Sequence, residues 1–419
     1  ALSAETPRHQ RVDLSQNDLH GWSFAGQIVN DAHFSSTTDS GFTAQQLYST
    51  ASYQAGDLSG IHLDGNDLTG WDFSGQDLTG AHLTANLTDA NFADAVITDV
   101  DFVRSNVAAS QLYLTANYRE GNLRGLRFNL SDFTGIELAA MDLSQSIFVN
   151  VNLNKADFAG ANLTEANLSN SDLVSADLSA AKLVSAQLGS AVLIDANLRN
   201  ADLRSASLTR SGGADLTRAD LSSANLANTS FSGVTLTGAN LRGADARGAQ
   251  DLSRIITTDG KIQNLIHPDG DIEGLSVASG ETMRLWDYYG EEIIPIVVQD
   301  GMQVDEMGIL RAVFEDRQWD STIRFGAGVP VSLGGTLALD LHEDGSWPDL
   351  VGATYQLFDW TNVIPDGEFS EVVTRHHWDL SKLYATGEVT LLAVVPEPTT
   401  GSLLLGASLT LLVIRLTRR

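Results

Sequence analysis

The sequence predicts an all-β chain in three parts: a four-sided repeat solenoid over residues 13–252, an antiparallel β-sandwich-like domain over 254–394, and a hydrophobic helix within the tail 395–419. Residues 1–12 form a short N-terminal segment ahead of the repeats. Three observations carry this reading. Apolar residues return at every fifth position from Ala156 to Leu208, in A-D-F-A-G, A-N-L-T-E, A-N-L-S-N and their successors. Near Leu252 that texture stops, and period-two segments bounded by Gly, Asp and Pro take over. The chain closes on Val395-Pro396-Glu397-Pro398, an apolar stretch and three arginines.

A period of five fits neither regular element. On a helix of 3.6 residues per turn these leucines would spread around the whole circumference, and on a strand they would alternate between faces. The chain must therefore turn a corner in each repeat, with four corners to a coil and the central Leu and the Ala two places before it pointing inward. The central positions run through Leu14, Leu19, Phe24, Val29 and Phe34, then from Tyr53 to Leu83, from Leu87 to Val107, from Tyr113 to Leu208, and from Leu216 to Leu241. One-residue slips and the insertion Ser211-Gly212-Gly213 separate these runs, and about ten coils result.

Four sides of five residues stack positions twenty apart, which places Phe128 beneath Phe148 on the axis. The Asp or Asn just before each central residue is a corner residue whose side chain accepts from nearby amides. Most of the aspartates are structural on this reading. Two related stretches interrupt the pattern, Thr43 to Tyr53 and Ala108 to Tyr118, sixty-five residues apart. Thr43 with Gln46 fits a capping box, so short helical excursions are expected near 43–53 and 108–118, although the second copy lacks the capping Thr. Trp22 and Trp71 stand where Ala is usual, so their coils are wider or their indoles fold out over the helices.

In 254–394, alternation in segments such as Leu337 to Leu341, Ile309 to Phe314 and Val389 to Val394 predicts the second domain. Composition then limits function. The chain has 419 residues, no cysteine and a formal charge of -28, which excludes disulfides and thiolate metal sites and argues against nucleic-acid binding. Residues 1–103 hold 14 acidic and 2 basic groups, so one end of the solenoid is strongly anionic. The chain begins at Ala1 rather than methionine, as expected if a targeting segment preceded it, and shows no charged-then-apolar leader.

The A-(D/N)-L-x-x repeat resembles the pentapeptide-repeat family. The resemblance implies a right-handed quadrilateral β-helix and leaves function open. The tail resembles the PEP-CTERM sorting signal, in Val395, Pro396, Glu397 and Pro398, the apolar run 403–414 and the basic end Arg415, Arg418 and Arg419. That resemblance implies export, recognition of Pro396, Glu397 and Pro398 by an exosortase-type processing enzyme, and a single-pass membrane segment. The arginines then stay cytoplasmic and the bulk of the chain lies outside, at the envelope or surface, released if the tail is processed.

No nucleophile is paired with a base and no glycine-rich phosphate loop occurs, so no catalytic residue and no cofactor is assigned. His62, His82 and, after a slip, Asp101 share one outer column and have metal-ligand chemistry. A solvated ladder is the preferred reading, and no metal is assigned. Asp269-Gly270-Asp271 opens like a calcium loop but ends on Gly280 where the bidentate Glu belongs, which reads as a turn. Trp286, Trp319, Trp347, Trp360 and Trp378 are expected in the core of the second domain, with sugar stacking the alternative if they are exposed.

The function expected is a non-enzymatic exported scaffold for spacing, adhesion or matrix binding, with an extracellular polysaccharide or a surface protein as partner and the membrane reached through the tail. The alternative is an acidic DNA mimic that binds a topoisomerase such as gyrase, as some members of the resembled family do.

Overall fold

The computed structural model describes residues 12–209, 212–252, 261–288, 290, 292–342, 347–395 and 412–414. The chain divides into two compact units. One comprises Ala1–Leu198, Ala206–Ala219 and Gly233–Thr235, and the other Arg199–Ser205, Asp220–Ser232 and Leu236–Arg419.

In the first unit each pentad makes one corner. Leu163, Thr164, Glu165 and Ala166 show the pattern: the Ala166 amide donates to the Leu163 carbonyl at 3.0 Å while Glu165 sits at φ 60°. This is a type II turn, which needs a left-handed residue at its third position. Gly60, Gly65, Gly70 and Gly160 fill that position in some pentads, whereas Lys155, Ser175, Ala180 and Ser185 adopt it at φ between 55° and 60° in others. Leu178, Leu183 and Leu188 and the alanines Ala176, Ala181 and Ala186 are buried on the inside of the turn. Coils pair in parallel at the residue before each central Leu, as in Asp157 with Asp177 and Asn162 with Lys182, twenty residues apart. Phe128 and Phe148 stack along the axis at 5.4 Å, in the expected column.

Three coils lengthen this pairing into strands β1 (Asp101–Val103), β2 (Arg127–Asn129) and β3 (Ile147–Val149), all parallel. Length changes are taken up at single corners. Asp67 pairs with Asn86, nineteen residues on, and Val192 pairs with Asp215 across the Gly212-Gly213 insertion. The two interruptions are helical, as α1 (Ala44–Tyr48) with α2 (Ala51–Gln54), and α3 (Ala109–Leu112) with α4 (Ala116–Arg119). Thr43 and Gln46 form a complete capping box on α1. On α3 the Ala108 amide donates to Gln111 Oε1 at 2.8 Å, without a capping side chain on Ala108. Trp71 is buried against Phe42 and Tyr48, over the helix, whereas Trp22 is half exposed.

The second unit corrects the expected antiparallel domain at 254–394. It starts with the last pentads, in which Asp202 pairs with Asn225 and Asn225 with Asp245, and continues in larger coils that are also parallel. One sheet contains β4 (Asp271–Val277), β6 (Ile296–Val304), β8 (Ile323–Phe325), β9 (Val331–Leu333) and β12 (Asp366–Gly367). The other holds β5 (Thr282–Leu285), β7 (Ile309–Phe314), β10 (Thr336–Leu341) and β13 (Glu371–Thr374). Thr282 pairs with Ile309 and Ile309 with Thr336, in steps of twenty-seven residues. Alternation reports which face of a strand is buried and says nothing about the direction of its neighbour. The short corners at 278–281 and 305–308 carry the chain from one sheet to the other, so they do not close hairpins. At these corners the backbones nearly touch: a methyl group on Gly308 would lie 2.4 Å from the Val277 carbonyl oxygen.

A third, three-stranded sheet is antiparallel, with β15 (Glu388–Ala393) between β11 (Thr354–Gln356) and β14 (His377–Asp379). A one-turn helix, α5 (Trp347–Leu350), precedes them. Of the expected C-terminal helix, only Leu412–Ile414 lie within the described residues. They form a strand, β16, antiparallel to β13. The edge of β13 away from β10 offers the pairing. Among the described residues no helix is long and apolar enough to cross a membrane.

Candidate functional site

The surface of the first unit is organised by its columns. At most corners the Asp or Asn side chain accepts from the amide two residues on, as Asp177 Oδ1 does from Ser179 at 2.9 Å. The Thr69 hydroxyl, with its amide, holds the Asp67 carboxyl below the usual carboxylate range, and the Thr134 hydroxyl and amide do the same for Asp132. Where Asn stacks on Asp, its amide group reaches across the coils: Asn162 Nδ2 donates to Asp142 Oδ1 at 2.9 Å. These aspartates are corner and column residues, as expected.

One column departs from this chemistry. Asp13, His33, His62, His82 and Asp101 pair in succession, so three imidazoles lie between two carboxylates. The rings of His33 and His62 stack at 3.8 Å and 12°, and those of His62 and His82 at 4.0 Å and 15°. Asp64, which the sequence did not single out, reaches the same place, with Oδ2 3.6 Å from His62 Nδ1. Ligand atoms of His62, Asp64 and His82 all lie within 4.8 Å of one another. Asp101, the expected third partner, is committed elsewhere: its Oδ1 accepts from the Val103 amide at 2.9 Å, and Oδ2 lies 3.7 Å from Arg127 Nε.

The helical excursions carry a second device absent from the sequence reading. The Tyr48 hydroxyl accepts from the Asp72 amide at 2.5 Å, and the Tyr53 hydroxyl donates to the Asp72 carbonyl at 2.9 Å. Tyr113 and Tyr118 do the same to Glu137, at 3.0 and 2.9 Å. Each tyrosine pair supplies the donor and acceptor that a neighbouring coil gives elsewhere, satisfying backbone groups beside a helix. The signal was the shared Tyr spacing in the two copies.

In the second unit, Arg247 and Asp245 are fully buried and joined by hydrogen bonds that include one of 2.9 Å at Nε and one of 2.6 Å at Nη2. The remaining donors of Arg247 reach the carbonyls of Ile294 and Trp286, both at 3.1 Å, and Ser321 Oγ at 2.8 Å. Arg204 repeats the motif on Asp202 and also meets Glu315 at 2.9 Å. Close by, burial pushes the Asp287 carboxyl up to about 7, against the opposing pull of the Asp320 and Tyr288 amides. Trp286, Trp319, Trp360 and Trp378 are buried, so the sugar-stacking alternative fails for these four rings. The Trp347 side chain lies outside the described residues, as do Pro396, Glu397, Pro398, Arg415, Arg418 and Arg419. The expected calcium-like loop is a turn, in which Asp269 Oδ1 accepts from the Asp271 amide at 3.2 Å.

Three stretches, 136–173, 171–210 and 214–249, match the family of pentapeptide repeats, with eight copies. Those residues are the ones that make the four-cornered coils described above. The chain is a pentapeptide-repeat protein. It is similar to HetL, a pentapeptide-repeat protein involved in heterocyst differentiation regulation in the cyanobacterium Nostoc, at 26% identity over 55% of this chain and 100% of HetL, with a TM-score of 0.20. A pentapeptide-repeat protein of the Arabidopsis thaliana thylakoid lumen is 31% identical over 32% of this chain and 73% of its own, with a TM-score of 0.17. QnrB1, a plasmid-mediated fluoroquinolone resistance protein, is 20% identical over 50% of this chain and 88% of its own, with a TM-score of 0.20. No curated protein matches the sequence.

Proposed function

We propose that this pentapeptide-repeat protein is an exported, non-enzymatic scaffold of the cell envelope or surface, which spaces, adheres or binds matrix through its repeat faces. The tail carries the reading: Pro396, Glu397 and Pro398 precede the apolar run 403–414, and Arg415, Arg418 and Arg419 follow it. In this reading an exosortase-type enzyme recognises Pro396, Glu397 and Pro398, Leu412–Ile414 leave the edge of β13 as the apolar run enters the membrane, and the arginines remain on the cytoplasmic side. The partner at the surface is an extracellular polysaccharide or another surface protein. A net acidic chain suits a hydrated matrix, where self-repulsion keeps extended surfaces apart. The deciding experiment fractionates a host that carries an exosortase, expressing the full chain or the chain without residues 395–419. Envelope retention of the full chain and its loss on truncation support the proposal, and equal retention of both refutes it.

The anionic stretch 1–103, with 14 acidic and 2 basic residues, favours a second reading, mimicry of DNA toward a topoisomerase such as gyrase. Inhibition of gyrase supercoiling by the full chain at micromolar concentration would establish it.

A further inference from the structure

The geometry points to a binding site for one borderline divalent transition ion, of the Zn2+ or Ni2+ class, held by His62, His82 and Asp64. The corner position before the central residue is Asp or Asn through most of the solenoid, where a short side chain caps the turn. At three successive coils this one column has histidine instead, and parallel pairing forces the rings into register at 3.8 and 4.0 Å. Imidazole binds metal through a ring nitrogen, and this column brings two such rings to one place beside a carboxylate.

Asp64 completes the set. It sits one residue beyond Leu63, on the corner after His62, and its carboxylate stands 3.6 Å from His62 Nδ1. Two imidazole nitrogens and one carboxylate oxygen suit Zn, Ni, Cu or Fe, and are a poor set for Mg or Ca, which take oxygen ligands. The ligand atoms lie within 4.8 Å of one another, whereas a tetrahedral ion with bonds of about 2.0–2.1 Å needs them roughly 3.3 Å apart. Closing by up to about 1.5 Å, with the His62 and His82 rings turning out of their stack so that their in-plane lone pairs converge, takes χ rotation alone, because the side chains of His62 and Asp64 are 17% and 29% exposed and border solvent. The backbone is fixed by the pairing and need not move. His33 stacks on the opposite face of His62 from His82. The local field favours a cation, since residues 1–103 carry 14 acidic groups against 2 basic ones.

The test uses the full chain without a histidine tag, titrated with ZnCl2 or NiCl2 at neutral pH by calorimetry. CoCl2 is added separately to read the visible bands of the bound ion. His82→Asn and Asp64→Asn are the variants. Asn is what the fold accepts at this corner elsewhere, as at Asn162 and Asn167, so His82→Asn leaves the coil intact, and a melting curve without metal checks this for both. The expected result is one ion per chain with a Kd of about 10 µM or tighter, weakened at least tenfold by either variant, with Mg2+ and Ca2+ not competing. Absence of saturable binding at a concentration of about 1 mM overturns the site. Binding of equal strength in both folded variants overturns it as well, because the ion then sits elsewhere.

Discussion

The left-handed corner makes a quantitative prediction, because nearly every pentad needs one and only some use glycine. Ser175, Ala180 and Ser185 occupy the third position of successive type II turns at φ 57°, 55° and 58°, with their side chains exposed. A non-glycine residue in this conformation carries about 1–2 kcal/mol of strain. Glycine removes that strain but costs about 0.5–1 kcal/mol in the entropy lost on folding. The net gain is about 0.7 kcal/mol per corner, so the triple variant Ser175→Gly, Ala180→Gly, Ser185→Gly should be about 2 kcal/mol more stable. The reverse exchange is available at Gly160, at φ 67°, where an added methyl group would meet nothing within 4 Å. Gly160→Ala should therefore lose about 0.7 kcal/mol, the backbone strain less the entropy no longer lost on folding, with no steric clash added. Urea denaturation followed by far-ultraviolet circular dichroism reads both, with the midpoint rising in the triple variant and falling in Gly160→Ala. If the triple variant unfolds earlier, or Gly160→Ala later, left-handed strain is not what these corners store.

Three further predictions concern the second unit. The raised carboxyl of Asp287 means that the folded state holds its proton more tightly than the unfolded chain, so this contribution to stability is complete below about pH 4 and is lost as pH rises through about 7. Asp287→Asn keeps an acceptor for the two amides without the buried charge, and should gain roughly 3–4 kcal/mol on the native protein between pH 4 and pH 8, measured by urea midpoints at both. Arg247→Met leaves Asp245 buried without its partner and should cost about 3–5 kcal/mol, with the double variant Arg247→Met, Asp245→Leu recovering most of it in the same assay. Gly308→Ala drives a methyl group into the Val277 carbonyl and should cost about 1–3 kcal/mol, read as a lower melting temperature.

The solenoid was legible because its period has one physical solution: Leu178, Leu183 and Leu188 share a dry axis only if the chain turns at each fifth residue. The column of twenty follows, and with it the stack of Phe128 on Phe148 and that of His62 on His82, whereas His33, twenty-nine residues before His62, falls outside that period. Strand direction in the second unit was not legible. Leu337 and Leu339 alternate with their neighbours whether β7 runs parallel or antiparallel beside them. The usable signal was the return of a glycine corner at Gly280, Gly308 and Gly335, close to every twenty-seven residues, which marks a coil and not a set of hairpins. Asp64 was missed as a partner of the histidines because columns were read at one corner position only, and it lies on the next. Asp245 and Arg247 are two residues apart in an ordinary pentad, so their burial depends on the coils folded over them, which no local pattern shows.

The way length changes are confined to one corner has a use in protein engineering. Between His33 and His62 the chain spends twenty-nine residues on a circuit that elsewhere takes twenty, yet the next step, to His82, is back in phase. An added segment is thus stored beside the wall and does not advance the winding, so later faces keep their compass bearings. A foreign peptide grafted at such a bend would be displayed outward while every downstream column stays aligned.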